Sequence, residues 1–190
     1  MNNFQDIKEQ MSLHEEKFEQ VFSQSRKILK TSKKLINSVQ RDDFEKAEEN
    51  FNKINQEFVE IYDTANKDQK LLYSGPYKIA MQEYVEAIGF YELIKNGNLV
   101  SYNKLKVDAE NYVMGICDLI GELVRWTINQ VTKENYQAAN KSKEITEEIY
   151  SNLLEIDFKN GEIRKKFDSI KYHLKKLEDI TYELKLRDKI

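Results

Sequence analysis

The stretch MQEYVEAIGFYELI (Met81–Ile94) has the apolar spacing of a core helix, yet Glu83 and Glu86 are set into it. VMGICDLIGELVRW (Val113–Trp126) repeats the pattern with Asp118 and Glu122. Both runs exceed strand length and return to apolar residues in steps of three and four, which makes them helices. At separations of three and four, the two acids of each pair project from a single helix face. Burying an unpaired carboxylate is strongly unfavourable, so these four must reach solvent, meet bases, change protonation or hold a cation.

Working outward, the rest of the chain is helical as well. Its 190 residues fit one domain, residues 1–190, with room for a substantial core. One proline, six glycines and 33% charged residues leave long Lys/Glu/Ile-rich runs with little punctuation, so the expected fold class is all-α, a bundle of six to seven helices. Phe18, Val21/Phe22, Ser25, Ile28/Leu29, Ser32, Leu35/Ile36 and Val39 form the seam of a long first helix. Its other side carries Arg26, Lys27, Lys30, Lys33 and Lys34, with no acid between Arg26 and Arg41. Asp42 or Asp43 is expected to cap a second helix ending near Ala65. Ser74 and Pro76 open a third, and Gly97 closes it in a left-handed turn. A fourth is expected over about Leu105 to Val131, and a fifth capped by Thr132. A last helix follows Gly161 with Ile163, Phe167, Ile170, Leu174, Leu177, Thr181 and Leu184 on one seam.

Thirty basic against 33 acidic side chains give a net charge of −3, so an anionic partner must be met by a local patch. The single cysteine, Cys117, excludes an intrachain disulfide and reads as a small core residue in a reducing compartment. The N-terminus, MNNFQDIKEQ, lacks the basic and apolar regions of a leader, and no apolar run reaches membrane-spanning length without a charge. A cytoplasmic protein without a membrane partner is expected.

Two readings of the four acids stand side by side. In one, Arg125 and nearby lysines neutralise them in ion pairs. In the other, the two faces converge into a hard, anionic pocket suited to Mg²⁺ or Mn²⁺, an ion that polarises a phosphodiester and acidifies water. A di-iron bundle would need Glu-x-x-His, and neither His14 nor His173 has a glutamate three residues before it. Helical nucleoside-triphosphate pyrophosphohydrolases also gather Mg²⁺ with two acidic pairs, and spacing does not exclude them. His14 and His173 on opposite terminal helices say little for a histidine-based ribonuclease. Trp126 and the tyrosines, at helical spacing, read as core more readily than as base-stacking platforms.

Four segments in order then resemble the translin family. HEEKFEQVFSQSRKILKTSKKLINSVQR (His14–Arg41) is similar to its opening helix. QEYVEA (Gln82–Ala87) and GICDLIGELVR (Gly115–Arg125) resemble its third-helix and central-helix signatures, and IRKKFDSIKYHLKKLEDITYELKLR (Ile163–Arg187) is similar to the ending translins carry. The resemblance implies an all-α subunit of a hollow oligomer, commonly an octamer, with single-stranded RNA or DNA bound inside. In its acidic positions the chain is similar to translin-associated factor X, the family's Mg²⁺-dependent endoribonuclease. That likeness implies that Glu83, Glu86, Asp118 and Glu122 are the catalytic metal ligands. It also turns Arg26, Lys30, Lys33 and Lys34 from a solvated face into a phosphate track, with Arg125 steadying the scissile phosphate. The ending is closer to translin than to factor X, and the long terminal extensions of the eukaryotic proteins are missing. One chain is therefore expected to supply scaffold and site in a homo-oligomer. Glu92, an extra acid on the third helix, is left outside the site. A non-catalytic binding oligomer of the translin type is the remaining alternative.

Overall fold

The computed structural model describes residues 3–190; residues 1 and 2, which begin the expected domain and the N-terminal stretch read above, lie outside the described residues. Six α-helices are described, α1 (Asn3–Gln40), α2 (Phe44–Asn66), α3 (Gly75–Asn96), α4 (Ala109–Thr132), α5 (Gln137–Leu154) and α6 (Glu162–Leu186). Short 3₁₀ turns lie at Gln69–Tyr73 and Tyr102–Lys104. Helix α1 packs on α2 and α3, α3 on α4, and α4 on α5 and α6.

The seam of α1 is buried at Val21, Ser25, Ile28, Ser32, Leu35, Ile36 and Val39, whereas Phe22 turns outward. The helix begins well before His14 and extends past the end of α2. His14 Nδ1 reaches Asp68 Oδ2 just beyond that end at 2.6 Å, and residues 4–13 are all exposed. Asp43 is the cap of α2, its side chain accepting from the Lys46 N–H at 3.3 Å. Asp42 takes a left-handed turn at φ 59, tolerable for Asp, and accepts from Gln130 Nε2 and Lys133 Nζ. That contact pins the α1–α2 corner to the end of α4.

Two expected boundaries shift, and one expected cap lacks its side-chain bond. Ser74 precedes α3 with Pro76 in the first turn, but its hydroxyl donates back to Leu71 O at 2.7 Å instead of capping. Helix α4 starts at Ala109, not Leu105, because Asp108 supplies the cap by accepting from the Asn111 N–H at 3.0 Å. Thr132 does not cap α5. It ends α4, its hydroxyl bonded to Asn129 O at 2.7 Å, and Glu134 at φ 66 makes the turn before α5. Gly97 closes α3 at φ 74, as its position predicts.

Two glycines set the spacing of the helices that carry the acids. A Cβ on Gly115 would lie 2.7 Å from Gln82 O and 2.7 Å from Val85 Cβ, and one on Gly89 would lie 2.7 Å from Leu119 Cδ1. The α3 and α4 backbones therefore meet more closely than side chains at these positions allow. Gly115 faces backbone and a branched Cβ, neither of which yields easily, so an added methyl there would separate the two acidic pairs.

Candidate acidic site and basic groove

Because α3 and α4 meet at Gly115, Glu83 and Glu86 face Asp118 and Glu122 across the contact. Glu86 registers the convergence most strongly. Burial, then the charges of Glu83, Asp118 and Glu122, push its carboxyl up to about 8. Glu83 is shifted upward too, first by burial and then by Asp118, with Lys33 and Lys166 opposing. Among the described residues neither Glu83 nor Glu86 belongs to an ion pair.

The other two acids are engaged. Asp118 pairs with Lys166 of α6, whose ammonium also donates to Gln82 Oε1 at 3.3 Å. Glu122 Oε2 accepts from Gln40 Nε2 at 2.8 Å and from Arg125 at 3.4 Å. Gln40 is itself held by Asn129 Nδ2 at 3.1 Å. Ion pairing thus accounts for two of the four acids and leaves the pair on α3 without bases. Among the described residues no three acidic, histidine or cysteine side chains stand close enough to one point to hold a metal ion as arranged. Even so, half-buried carboxylates with surplus negative charge are the hard oxygen donors that Mg²⁺ takes. The donor chemistry of Glu83, Glu86, Asp118 and Glu122 fits such an ion.

Glu83, Glu86 and Glu122 line a cleft of about 400 Å³ with Lys33, Ile36, Asn37 and Arg125. Lys33 and Asn37 also line a neighbouring cleft of about 660 Å³, where Lys30, Lys34 and Lys46 stand. Lys30 and Lys34 continue into a third, of about 390 Å³, walled by Lys27 on α1 and Lys53 on α2. The three clefts share lining residues of α1 and lead toward the acids, with Glu49, Glu57 and Glu60 of α2 standing among the lysines of the outer two. Arg26, exposed one turn before Lys30, extends the same face. Among the described residues Arg26, Lys30, Lys33 and Lys34 enter no ion pair, so their charge is available to a partner.

Several of these residues escaped the sequence reading. Lys166, Gln40, Gln82 and the α2 lysines reach the site only through tertiary packing. A local sign existed for Lys166, a basic residue flanking the inward seam of α6 one turn before Ile170. A sign also existed for Gly115, a glycine inside a strongly helical run. The other residues singled out in the sequence are placed as follows. Glu92 lies apart, accepting from Asn96 at 2.5 Å. His14 pairs with Asp68 while His173 packs over Gly121, so the two histidines are engaged separately. Cys117 is buried, and burial with the Asp118 charge pushes its thiol up to about 12. Tyr77, Tyr84 and Tyr91 are core, and Trp126 packs against it, although Tyr73, Tyr172 and Tyr182 are exposed. No described helix is long and apolar enough to cross a membrane.

An all-helical subunit whose acidic cleft continues into a lysine-lined groove is the class of protein that this fold and site define. The chain belongs to the Translin family, whose model matches residues 16–188. Translin of Gallus gallus is 24% identical over 157 residues, which are 75% of this chain and 69% of that protein. Translin-associated protein X of Rattus norvegicus is 22% identical, with 97% of this chain and 78% of that protein aligned. Among solved structures, apo-NeC3PO is 30% identical with a TM-score of 0.89, covering 96% of this chain and 97% of that one. AfC3PO, solved as a complex with duplex RNA, shares the fold with a TM-score of 0.89 at 22% identity, over 97% of both chains.

Proposed function

We propose that this chain is a Mg²⁺-dependent endoribonuclease that binds and cuts single-stranded RNA as a homo-oligomer of translin type. The observation that carries the reading is the convergence of Glu83, Glu86 and Glu122 on one cleft with Asp118 beside it, Glu86 being unpaired and pushed up to about 8 by burial and by the charges of the other three. Glu83, Glu86, Asp118 and Glu122 would hold the ion, with Mn²⁺ as an acceptable substitute. Once bound, the ion supplies the charge that polarises the phosphodiester and acidifies the attacking water. The protein's part is placement. Lys30, Lys33 and Lys34 draw the phosphate backbone along the α1–α2 groove, and Lys33 and Asn37 deliver it to the acids, since they line both clefts. Arg125, on the cleft wall, steadies a phosphate oxygen there.

Exposed apolar surface supports assembly. Phe4, Ile7 and Met11 stand on the free end of α1, and Tyr172, Tyr182 and Leu186 stand on the outer face of α6. Such surface is unusual for a monomer and fits an octameric shell of the kind the family resemblance implies. A cytoplasmic setting accords with the free, buried Cys117.

The groove has its own test. Changing Arg26, Lys30, Lys33 and Lys34 together to Ala is expected to weaken RNA binding across sequences and to flatten its dependence on salt, since released counterions scale with phosphate contacts. Filter binding over a salt series measures both. Unchanged affinity with an unchanged slope would return these residues to a solvated face.

A further inference from the structure

Among the described residues of α6, Lys166 pairs with one of the acids, while His173 lies near enough for the Asp118 charge to act on it. The Lys166 ammonium pairs with Asp118 and donates to Gln82 Oε1 at 3.3 Å, and Gln82 Nε2 donates in turn to Asn111 Oδ1 at 2.9 Å. The Lys166 side chain is only 29% exposed, and that of Asp118 35%. Its charge acts on Glu83 and Glu86 as well, whereas Lys33 opposes the shift of Glu83 and Arg125 bonds Glu122. Asp118, so held, is absent from the residues that line the acidic cleft, although its charge is felt by both α3 acids.

We propose that Lys166 is a built-in counter-ion of the acidic cleft, holding Asp118 aside until a divalent cation displaces its ammonium. The inference rests on the metal-dependent reading above. An ammonium held on Asp118 Oδ2 and a divalent ion at the same carboxylate repel each other, so each weakens the other's hold on Asp118. Lysine suits the exchange. Its charge sits at the tip of a flexible four-carbon stem and can withdraw without moving the helix. The same residue explains why the acids face one cleft yet are not gathered about one point. Two are drawn aside, Asp118 by the Lys166 ammonium and Glu122 by Arg125 and the amide of Gln40. Lys166 is thus a positioning residue, acting through Asp118.

The test is a Mn²⁺ titration of the full chain without RNA, with free ion read by electron paramagnetic resonance, alongside thermal melts with and without Mn²⁺. Lys166→Met keeps the aliphatic stem and removes the charge. It is expected to bind Mn²⁺ up to about fivefold more tightly than wild type, the scale of one partly exposed ion pair. Its melting temperature should be lower without the ion and should gain more from Mn²⁺. If Lys166 were only a tie between α4 and α6, the variant would melt lower in both conditions and bind Mn²⁺ no more tightly. That result overturns the inference. Should Lys166→Met fail to fold, Lys166→Gln is read in the same way. Absence of Mn²⁺ binding by wild type would defeat the metal-dependent reading along with this one, whereas equal binding by wild type and variant defeats this one alone.

Discussion

Replacing Glu83 by Gln is expected to abolish Mg²⁺-dependent RNA cleavage while the protein folds, assembles and binds RNA as before. Loss of an outer-shell partner costs roughly 10- to 100-fold in metal-site activity, and loss of a ligand should exceed that. Glu83 makes the cleaner test because it has no basic partner to strand. The substitution also removes a negative charge that raises Glu86, so the melting temperature should hold or rise. RNA affinity should hold or increase, because one fewer carboxylate faces the phosphates. Asp118→Asn is expected to lose cleavage too, but it disturbs the tie to Lys166. With both side chains about one third exposed, that pair is worth about 1 kcal/mol or less. A Glu83→Gln protein that cuts at the wild-type rate would remove Glu83 from the site.

The contribution of Glu86 to stability without divalent ions should fall as pH rises from about 4.5 to about 8, a trend that His173, held low by burial, opposes over part of that range. Glu86 titrates at about 8 in the folded chain, raised first by burial and then by Glu83, Asp118 and Glu122. In an unfolded chain a glutamate titrates near about 4.3. Between those values the folded state binds more protons than the unfolded one, so raising the pH favours unfolding. The difference is on the order of a few kcal/mol, or roughly 10 °C in melting temperature for a chain of this size. Glu86→Gln carries no charge at any pH and should flatten the profile. Mg²⁺ should flatten it also, by supplying the missing positive charge to the ionised carboxylate. A wild-type melting temperature constant over this range would contradict the placement of Glu86 among three other acids.

The helices were legible because their seams are. Between Val21 and Val39 and between Phe167 and Leu184 most residues that the periodicity selects are buried, Phe22 being the exposed exception and Leu29 and Leu174 half-buried, and Gly97 ends α3 where a left-handed residue is needed. Boundaries that depend on competing caps were not. Asp108 wins the start of α4 over Leu105, and the Thr132 hydroxyl satisfies its own helix instead of opening the next. At the site, the two acidic pairs were legible as pairs, since helical spacing fixes which side chains share a face. Their convergence was not, because it depends on Gly115 and Gly89 letting two backbones approach. Nor were the partners. Lys166 lies 48 positions from Asp118, and Gln40 lies 82 from Glu122. No local pattern encodes contacts of that span.

Direct incubation of the wild-type chain with RNA addresses the central claim. Single-stranded RNA, duplex RNA, single-stranded DNA and a panel of nucleoside triphosphates would be offered with Mg²⁺ and with a chelator, and the products resolved by length. Internal cleavage of single-stranded RNA, present with Mg²⁺, absent with chelator and absent in Glu83→Gln, is the predicted result. Tight RNA binding without cleavage under any divalent ion would make the chain a non-catalytic binding subunit, and pyrophosphate release from the triphosphates with intact RNA would make it a nucleotide hydrolase. Either outcome contradicts the endoribonuclease reading.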